Sequence, residues 1–184
     1  LEITVSDRAG IVKVYEAVTQ YCGFSAIEAG KTMGLFPYGE KNDKIPQLFD
    51  DMGRVPLSNR NLVAPTYPNA AVVNEHLYTE LSGKNIYDGS PEGETIDLTL
   101  LQNRRDLAYA CQIETQQQAS NLIREAVERS GKNNVVVSGG YGLNCVANYY
   151  YLKDLEDLDI NIYVEPVSND AGTAMGAAMI MYHQ

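Results

Sequence analysis

Residues 138–144, with the sequence SGGYGLN, carry the kinds of residue that could bind a phosphate or a ribose. Gly139 and Gly140 stand where a β-branched segment gives way to a helical one. Glycine lets the backbone approach a ligand closely, and N–H groups at a helix N-terminus carry partial positive charge. The pattern is not the dinucleotide GxGxxG, because Asn144 holds the last position, and it is not a P-loop, because no Lys-Ser/Thr follows. The segment predicts either a nucleotide-binding turn or a plain strand-to-helix turn.

Residues 168–179, with the sequence SNDAGTAMGAAM, repeat this arrangement. Asp170 precedes a helix in which Gly172 and Gly176 are among several tiny residues, and such residues permit close packing on another element. A carboxylate at this point suits a divalent metal ion held over a bound phosphate. It equally suits the N-cap of the helix. Both interpretations of Asp170 stay open at the level of the residues.

Lys31 lies in a third segment, residues 28–39, which contains three glycines near a predicted helix start. A cation beside a closely approachable backbone suits an anionic ligand. The alternative is an ordinary surface lysine in water. Only the other two glycine-rich segments favour a ligand-binding role for Lys31.

Strands and helices that alternate in the last third of the chain must position these segments. Residues 133–140 and 160–166 are β-branched strands, and helices follow them at residues 142–152 and 168–184. A strand-helix-strand-helix order implies a parallel sheet covered by helices, so the fold class is α/β. Ligands of parallel sheets bind at the carboxyl ends of the strands. The sequence therefore predicts that segments 138–144 and 168–179 meet at one edge of the sheet.

The first two thirds of the chain predict one strand, several helices and loops. A strand at residues 1–5 precedes a helix that Asp7 could cap and that stops before Gly23. Ser25 and Glu28 have the spacing of a capping box, which starts a second short helix. Residues 40–70 are predicted to form loops with brief helices or strands, and residues 69–81 a helix. A long helix should run from about 98 to 129, and its middle, 112–118, is unusually polar.

Composition places the chain among ordinary globular domains with a single core. It has 184 residues, of which 45% are hydrophobic and 21% charged. Fourteen Lys and Arg against 24 Asp and Glu give a net charge of -10. Such a charge repels polyphosphate backbones, which argues against non-specific nucleic-acid binding and leaves room for a local phosphate pocket.

Three features of the sequence predict a cytoplasmic location: the spacing of the cysteines, the lack of a long apolar run and the lack of a signal sequence. Cys22, Cys111 and Cys145 are odd in number and too far apart for a CxxC metal site, which favours reduced thiols. No apolar run approaches the roughly 18–20 residues of a membrane span, and residues 1–10 lack a signal sequence. Because the chain begins at Leu1, already within a predicted strand, we expect it to be a piece of a longer protein.

Four segments, taken in order, resemble successive blocks of the NodU/CmcH-type O-carbamoyltransferases. Order and spacing agree with that family, and the segments span nearly the whole chain. The resemblance implies the ribonuclease-H-like lobe of the actin-like ATPase fold, which sugar kinases share. Residues 1–184 would then form a single α/β domain, the C-terminal lobe of the catalytic domain, with the N-terminal lobe and an adenylate-forming domain absent. The segments are TQYCGFSAIEAGKTMGLFPYG (19–39), DLAYACQ (106–112), VVVSGGYGLNCVAN (135–148) and VEPVSNDAGTAMGAAM (164–179).

The same resemblance implies an activity and its site. A carbamoyl group passes from carbamoyl-adenylate, made from carbamoyl phosphate and ATP, to the hydroxyl of a small molecule. The missing lobe and the adenylate-forming domain would be partners of this chain. Asp170 would be a ligand to a catalytic divalent metal, iron(II). The resemblance assigns Gly139, Gly140 and Asn144 to the nucleotide. Lys31 and Gly172 are further predicted nucleotide-binding residues.

The chain departs from the family at several points. The family's metal site also uses two histidines spaced i and i+4, and this chain has only His76 and His183. Tyr141 and Gly142 replace the usual Val-Ala after the glycines, and residues 36–37 are Phe-Pro instead of an Ala-containing pair. Neither a general base nor the hydroxyl acceptor can be identified.

Two other functions stay open. An actin-like-fold kinase of a sugar or of acetate would transfer phosphate with Mg²⁺ and without carbamoyl phosphate, although the GLNCVAN segment favours the carbamoyltransferases. A truncated lobe without catalysis would serve as a nucleotide-binding or regulatory partner. The lack of the histidine pair is consistent with this last function.

Overall fold

The computed structural model describes residues 10–45, 47–49, 100–169 and 171–183. These residues group into two compact units, with the division between Ala119 and Ser120. Several sequence predictions lie outside the described residues: the strand at 1–5, most of the region 40–70, the helix at 69–81 and the role of Asp170.

Helix α1 (Ile11–Tyr21) forms because its apolar residues recur at helical spacing. Val14 and Val18 are at most 2% exposed, so this face belongs to the core of the first unit. The N-cap is Gly10 in extended backbone, and the predicted N-cap at Asp7 is therefore wrong. The helix begins only where its apolar stripe begins, one residue after Gly10.

The second helix begins with the predicted capping interaction. The Ser25 N–H donates to the Glu28 carboxylate at 2.9 Å. A 3-10 turn (Ala26–Glu28) leads into helix α2 (Ala29–Leu35), and a second 3-10 turn (Phe36–Tyr38) follows. The predicted short helix that starts after Ser25 is confirmed.

Helix α3 (Leu101–Ser130) confirms the predicted long helix, and its residues up to 119 belong to the first unit. Its polar middle is buried in a hydrogen-bond network with α1. The Tyr15 hydroxyl donates to Gln112 Oε1 at 2.9 Å, and Gln112 Nε2 donates to Gln116 Oε1 at 3.1 Å. Both glutamines are at most 6% exposed. Buried amides are tolerated when they are hydrogen-bonded, which explains a polar stretch inside the core.

Asp106 joins α3 to the residues that follow the Phe36–Tyr38 turn. Its buried carboxylate accepts hydrogen bonds from Glu40 N at 3.1 Å, Asn42 Nδ2 at 3.0 Å and Gln102 Nε2 at 2.8 Å. A carboxylate that receives several donors is well compensated for its burial. Asp106 therefore fixes the chain after the Phe36–Tyr38 turn against α3.

Glu114 holds another stretch of the chain against α3. Its Oε2 atom accepts hydrogen bonds from Leu48 N at 2.8 Å and Phe49 N at 3.2 Å. Leu48 and Phe49 are each 2% exposed. Desolvation raises the pKa of Glu114 above its ordinary value, and the two backbone donors only partly offset this effect.

The raised pKa of Glu114 predicts a pH dependence of stability. The folded state binds the proton more tightly than the unfolded chain does, so this contribution to stability is complete below the ordinary glutamic acid pKa of about 4.3. It is lost as pH rises through the raised folded pKa. Glu114→Gln keeps an oxygen acceptor without the titrating charge. We therefore expect its free energy of unfolding to fall less than that of the wild type over this range, as measured by urea unfolding at a series of pH values.

Glu114→Ala is the companion variant. It removes the acceptor and leaves the N–H groups of two buried residues without their partner, which should cost about 1–3 kcal/mol at every pH. Parallel pH profiles for the wild type and Glu114→Gln would contradict the assignment of the pH dependence to this carboxyl group.

The second unit contains the predicted βαβα arrangement. Strands β1 (Asn134–Val137) and β2 (Asn161–Val164) pair in parallel, with Asn134 opposite Asn161 and Val137 opposite Val164. Helix α4 (Cys145–Asp154) connects them, and helix α5 (Ala171–Tyr182) follows β2. The α/β class is confirmed. Helix α4 begins three residues later than predicted, because residues 140–143 form a 3-10 turn.

Side chains of α3 anchor the end of α4 within the second unit. Ser120 Oγ donates to Asp154 Oδ2 at 2.6 Å, and Tyr150 OH donates to Asp154 Oδ1 at 3.0 Å. Arg124 forms two hydrogen bonds with the Asp157 carboxylate, at 2.7 and 2.9 Å. Hydrogen bonding to Arg124 lowers the pKa of Asp157. These contacts are at the C-terminal end of α4. The N-terminal end of α4 adjoins the loop that follows β1.

Helix α5 is apolar but exposed. Met175, Met179 and Ile180 are between 52% and 62% exposed, and no described residue of α5 is buried. Within the described ranges, no helix combines the length and the apolar character that crossing a membrane requires.

All three cysteines are free thiols. Cys22 and Cys111 are buried, and burial raises the pKa of the Cys22 thiol to about 12. Cys145 is exposed at the first residue of α4. The structure thus agrees with the expected free thiols. Cys22 and Cys111 are core residues of the first unit.

Candidate functional site

The loop after β1 is a tight turn built on glycine. Gly139 has φ +94°, a backbone conformation that other residues rarely adopt. Two backbone hydrogen bonds close the turn, from Gly142 N to Gly139 O at 2.8 Å and from Asn144 N to Tyr141 O at 3.0 Å. These two bonds close the turn between β1 and the helix that follows it.

The backbone at Gly139 and Gly140 faces open space. A Cβ atom added at either residue would meet no atom within 4 Å. Both residues are exposed at the carboxyl end of β1. A ligand can therefore approach the main chain at these two positions closely, as the sequence predicted. Only Gly139 has a positive φ, so Gly140 is not required there for its conformational freedom.

Asn144 has a structural role in this loop. It is the N-cap of α4, and its Oδ1 atom accepts a hydrogen bond from Ala147 N at 3.0 Å. The side chain is buried, with 7% of the residue exposed. An Asn at this position satisfies one of the unpaired N–H groups of the helix start. The additional nucleotide contact expected of Asn144 stays a prediction.

The loop after β2 is also fixed by short-range hydrogen bonds. Glu165 N donates to Val137 O at 3.0 Å, which extends the pairing of the two strands. Ser168 Oγ donates to Glu165 O. Asn169 Oδ1 accepts from Ala171 N at 3.0 Å, so Asn169 supplies an acceptor for the start of α5.

The two loops meet, as the order of strands and helices predicts. A Cβ atom at Gly142, in the first loop, would lie 3.6 Å from Ser168 Oγ in the second. It would lie 3.5 Å from Val137 Cγ1 at the end of β1. Gly142 is itself buried. The carboxyl ends of β1 and β2 therefore carry one continuous surface of glycine-rich backbone and short polar side chains.

The tiny residues of α5 differ in their surroundings. A Cβ atom at Gly172 would lie 2.5 Å from Val167 O, which is closer than real Cβ atoms come. At Gly176 it would meet nothing within 4 Å. The close packing expected at Gly176 is therefore wrong for the described residues. Gly172 is the residue whose size is constrained, because α5 folds back against its own loop.

Lys31 belongs to the first unit. Its Nζ atom forms an ion pair with Glu28 Oε1 at 2.5 Å and lies 5.6 Å from the centre of the Phe24 ring. The side chain is 56% exposed, so screening by water makes this pair a weak one. The nucleotide contact expected of Lys31 stays a prediction.

No group of three or more His, Cys, Asp or Glu side chains in the described part of the chain could hold a metal ion. Asp170 lies outside the described residues. His183 follows α5, and its ring is edge-on to the Tyr182 ring, with the two ring centroids 5.3 Å apart.

Sequence reasoning missed Asn148 as a component of this site. Its Nδ2 atom donates to Gly142 O at 2.7 Å. Asn148 follows the N-cap Asn144 by four residues, and residues spaced i and i+4 lie on the same face of a helix. That spacing was the signal that Asn148 would face the same loop.

Comparison with known proteins identifies relatives over nearly the whole chain. Residues 2–179 match the family described as carbamoyltransferase N-terminus. The uncharacterized protein sll1178 of Synechocystis is 33% identical over 175 residues, which cover 93% of this chain and 27% of that protein. The nodulation protein NolNO of Sinorhizobium fredii is 25% identical over 179 residues, 97% of this chain and 23% of that protein. The chain thus spans about a quarter of the length of these relatives.

Proposed function

The chain belongs to the carbamoyltransferase N-terminus family, and on that premise we propose that it is the nucleotide-binding part of an O-carbamoyltransferase. The donor is carbamoyl-adenylate, made from carbamoyl phosphate and ATP, and the acceptor is the hydroxyl of a small molecule. The observation that carries the proposal is the open backbone at Gly139 and Gly140, at the carboxyl ends of two parallel strands. Ligands of parallel α/β sheets bind at this place.

The proposed fold is a ribonuclease-H-like lobe of the actin-like ATPase fold. The parallel β1-α4-β2-α5 unit supports it. The curated relatives are about four times as long as this chain, which leaves room for a second lobe and an adenylate-forming domain in the full-length protein. The proposed extent of the domain is residues 1–184.

The reaction is a transfer between two oxygen atoms. The hydroxyl oxygen of the acceptor attacks the carbamoyl carbon and forms the new C–O bond. The bond between that carbon and the phosphate oxygen breaks, AMP leaves with the electron pair, and the hydroxyl proton passes to a base. The proposed task of Gly139, Gly140 and Asn144 is to hold the adenylate while this happens, so that the carbonyl is correctly placed. Gly172 and Lys31 are the further proposed nucleotide contacts.

Iron(II) bound by Asp170 is part of the proposal for the full-length protein. Tight transition-metal sites use about three or more protein ligands, and Asp170 offers one carboxylate. The described residues supply no group that completes such a site. They therefore do not complete an iron site by themselves, and the roles given above to Gly139, Gly140 and Asn144 involve no metal.

The activity of the full-length protein tests this proposal. Incubation with ATP, carbamoyl phosphate, iron(II) and a panel of hydroxyl compounds should release AMP only when carbamoyl phosphate and an acceptor are both present. The 184-residue chain alone should release none above background, because it spans only about a quarter of the length of its relatives. Chromatographic measurement of AMP and of the carbamoylated product provides the readout.

Two results would contradict the proposal. Turnover by the 184-residue chain alone would show that the other domains are not needed. Transfer of phosphate to an acceptor with Mg²⁺ and without carbamoyl phosphate would indicate a kinase instead.

A further inference from the structure

Asn148 stabilises the glycine turn through the backbone of Gly142. Asn148 Nδ2 donates to Gly142 O at 2.7 Å, and Gly142 N in turn donates to Gly139 O at 2.8 Å. Two successive hydrogen bonds therefore connect α4 to Gly139, the residue with positive φ. Within this turn, Gly139 and its neighbour Gly140 are positions at which an added Cβ atom would meet nothing within 4 Å.

Gly142 lies between the ends of the two strands, so the hydrogen bond that Asn148 makes to it affects both loops. Gly142 is buried, and it lies against Val137 at the end of β1 and Ser168 after β2. A shift of its carbonyl would move the turn relative to both strands. The Asn148 hydrogen bond therefore constrains a residue that lies against the ends of both strands.

The two ends of the Asn148 amide are not equivalent. Its donor end is bound to Gly142, whereas its Oδ1 atom is buried and has no hydrogen-bond partner. Reversing the amide would bring two carbonyl oxygens together, so the donor must face Gly142. A buried acceptor without a partner is destabilising. An apolar side chain of the same shape would avoid that cost but would leave Gly142 O without its donor, so the hydrogen bond to Gly142 is the specific contribution of Asn148.

We propose that Asn148 is a positioning residue for the nucleotide, which acts by fixing the Gly139–Gly140 turn through Gly142. The inference rests on the proposed nucleotide-binding function. Asn148 does not contact the nucleotide in this scheme. It keeps the exposed N–H groups of the turn in the orientation that the ligand requires.

Asn148→Leu tests the inference in the full-length protein. Leucine has a similar shape and removes both the donor and the unpartnered oxygen. The melting temperature should change little, because the loss of the donor to Gly142 O is offset by removal of the unpartnered oxygen. The affinity for a non-hydrolysable ATP analogue should fall by about tenfold. Hydrogen exchange of the Gly142 amide should become faster. A residue with only a structural role would not combine unchanged stability with lost affinity.

Asn148→Ala is the second variant, and Asn161→Ala is its matched control. Asn161 also donates a side-chain hydrogen bond, to Asn134 Oδ1 at 3.1 Å, but it lies at the opposite end of β2. We expect Asn148→Ala to lose affinity and Asn161→Ala to retain it, as measured by calorimetric titration.

The outcomes separate the inference from the proposed function. Wild-type affinity in folded Asn148→Leu and Asn148→Ala would overturn the inference and leave the nucleotide site standing. A wild-type protein that binds no adenine nucleotide would overturn the proposed function, and with it the role of Asn148 toward that ligand.

Discussion

Replacement of Gly39 by alanine is expected to destabilise the first unit by about 2–4 kcal/mol. A Cβ atom at Gly39 would overlap the main-chain carbonyl of Arg105 and lie 2.9 Å from Asp106 N. Both atoms belong to the backbone of α3, which cannot rotate away as a side chain can. Thermal and urea unfolding of the variant measure the loss.

The neighbouring hydrogen bonds explain why Gly39 must lie so close to α3. Glu40 N, the next amide along the chain, donates to the buried Asp106 carboxylate. The 3-10 turn (Phe36–Tyr38) ends directly before Gly39. Gly39 is therefore held on both sides and cannot move away from α3 when a methyl group is added.

Gly34 provides the matched control for Gly39. It lies within α2, and a Cβ atom there would meet nothing within 4 Å. Alanine in place of glycine inside a helix is favourable by about 0.5–1 kcal/mol, so Gly34→Ala should raise stability slightly. Equal effects of the two substitutions would show that the contact between Gly39 and α3 is not the cause.

Local patterns in the sequence predicted much of the secondary structure. The capping interaction between Ser25 and Glu28, the long helix α3 and the β1-α4-β2-α5 order all depend on residues close together in the chain. Each has a short-range physical cause, such as the 3.6-residue period of a helix or the need to cap its first N–H groups. Boundaries were less accurate, because the 3-10 turn before Asn144 has no distinct sequence signal.

Contacts between distant residues could not be predicted in this way. Tyr15 and Gln112 are 97 positions apart, and nothing in the local sequence shows that a polar helix face is buried against a tyrosine hydroxyl. The same limit applies to the glycines. Gly172 and Gly176 look alike in a run of tiny residues, and only the position of Val167 O distinguishes them.

In the candidate site, too, the sequence predicted the general arrangement but not the role of each residue. The sequence predicted that the loops after β1 and β2 meet, since parallel strands place their carboxyl ends together, and the contact between Gly142 and Ser168 confirms it. It could not separate Asn144 as a helix cap from Asn144 as a ligand contact. The side-chain hydrogen bond of Asn144 to Ala147 N establishes the first role.

Gly139 and Gly140 can now be distinguished, which sharpens the test of nucleotide binding. Gly139 requires glycine for its backbone, with φ +94°, so any substitution there combines strain with a change at the surface. Gly140 lacks a positive φ and has open space beside it. A side chain at Gly140 therefore changes the surface with little strain.

Gly140→Val should weaken binding of a non-hydrolysable ATP analogue to the full-length protein by roughly a hundredfold, equivalent to about 2.7 kcal/mol. The valine side chain would occupy the space that the ribose or phosphate needs, while the melting temperature should change little. Gly131→Ala is the control for strain, because Gly131 lies before β1 and has φ +64°, and an added Cβ atom there would meet nothing within 4 Å. That variant should lose roughly 1 kcal/mol of stability and keep its affinity. Calorimetric titration beside thermal unfolding measures both quantities, and wild-type affinity in a folded Gly140→Val protein would show that the loop after β1 does not bind the nucleotide.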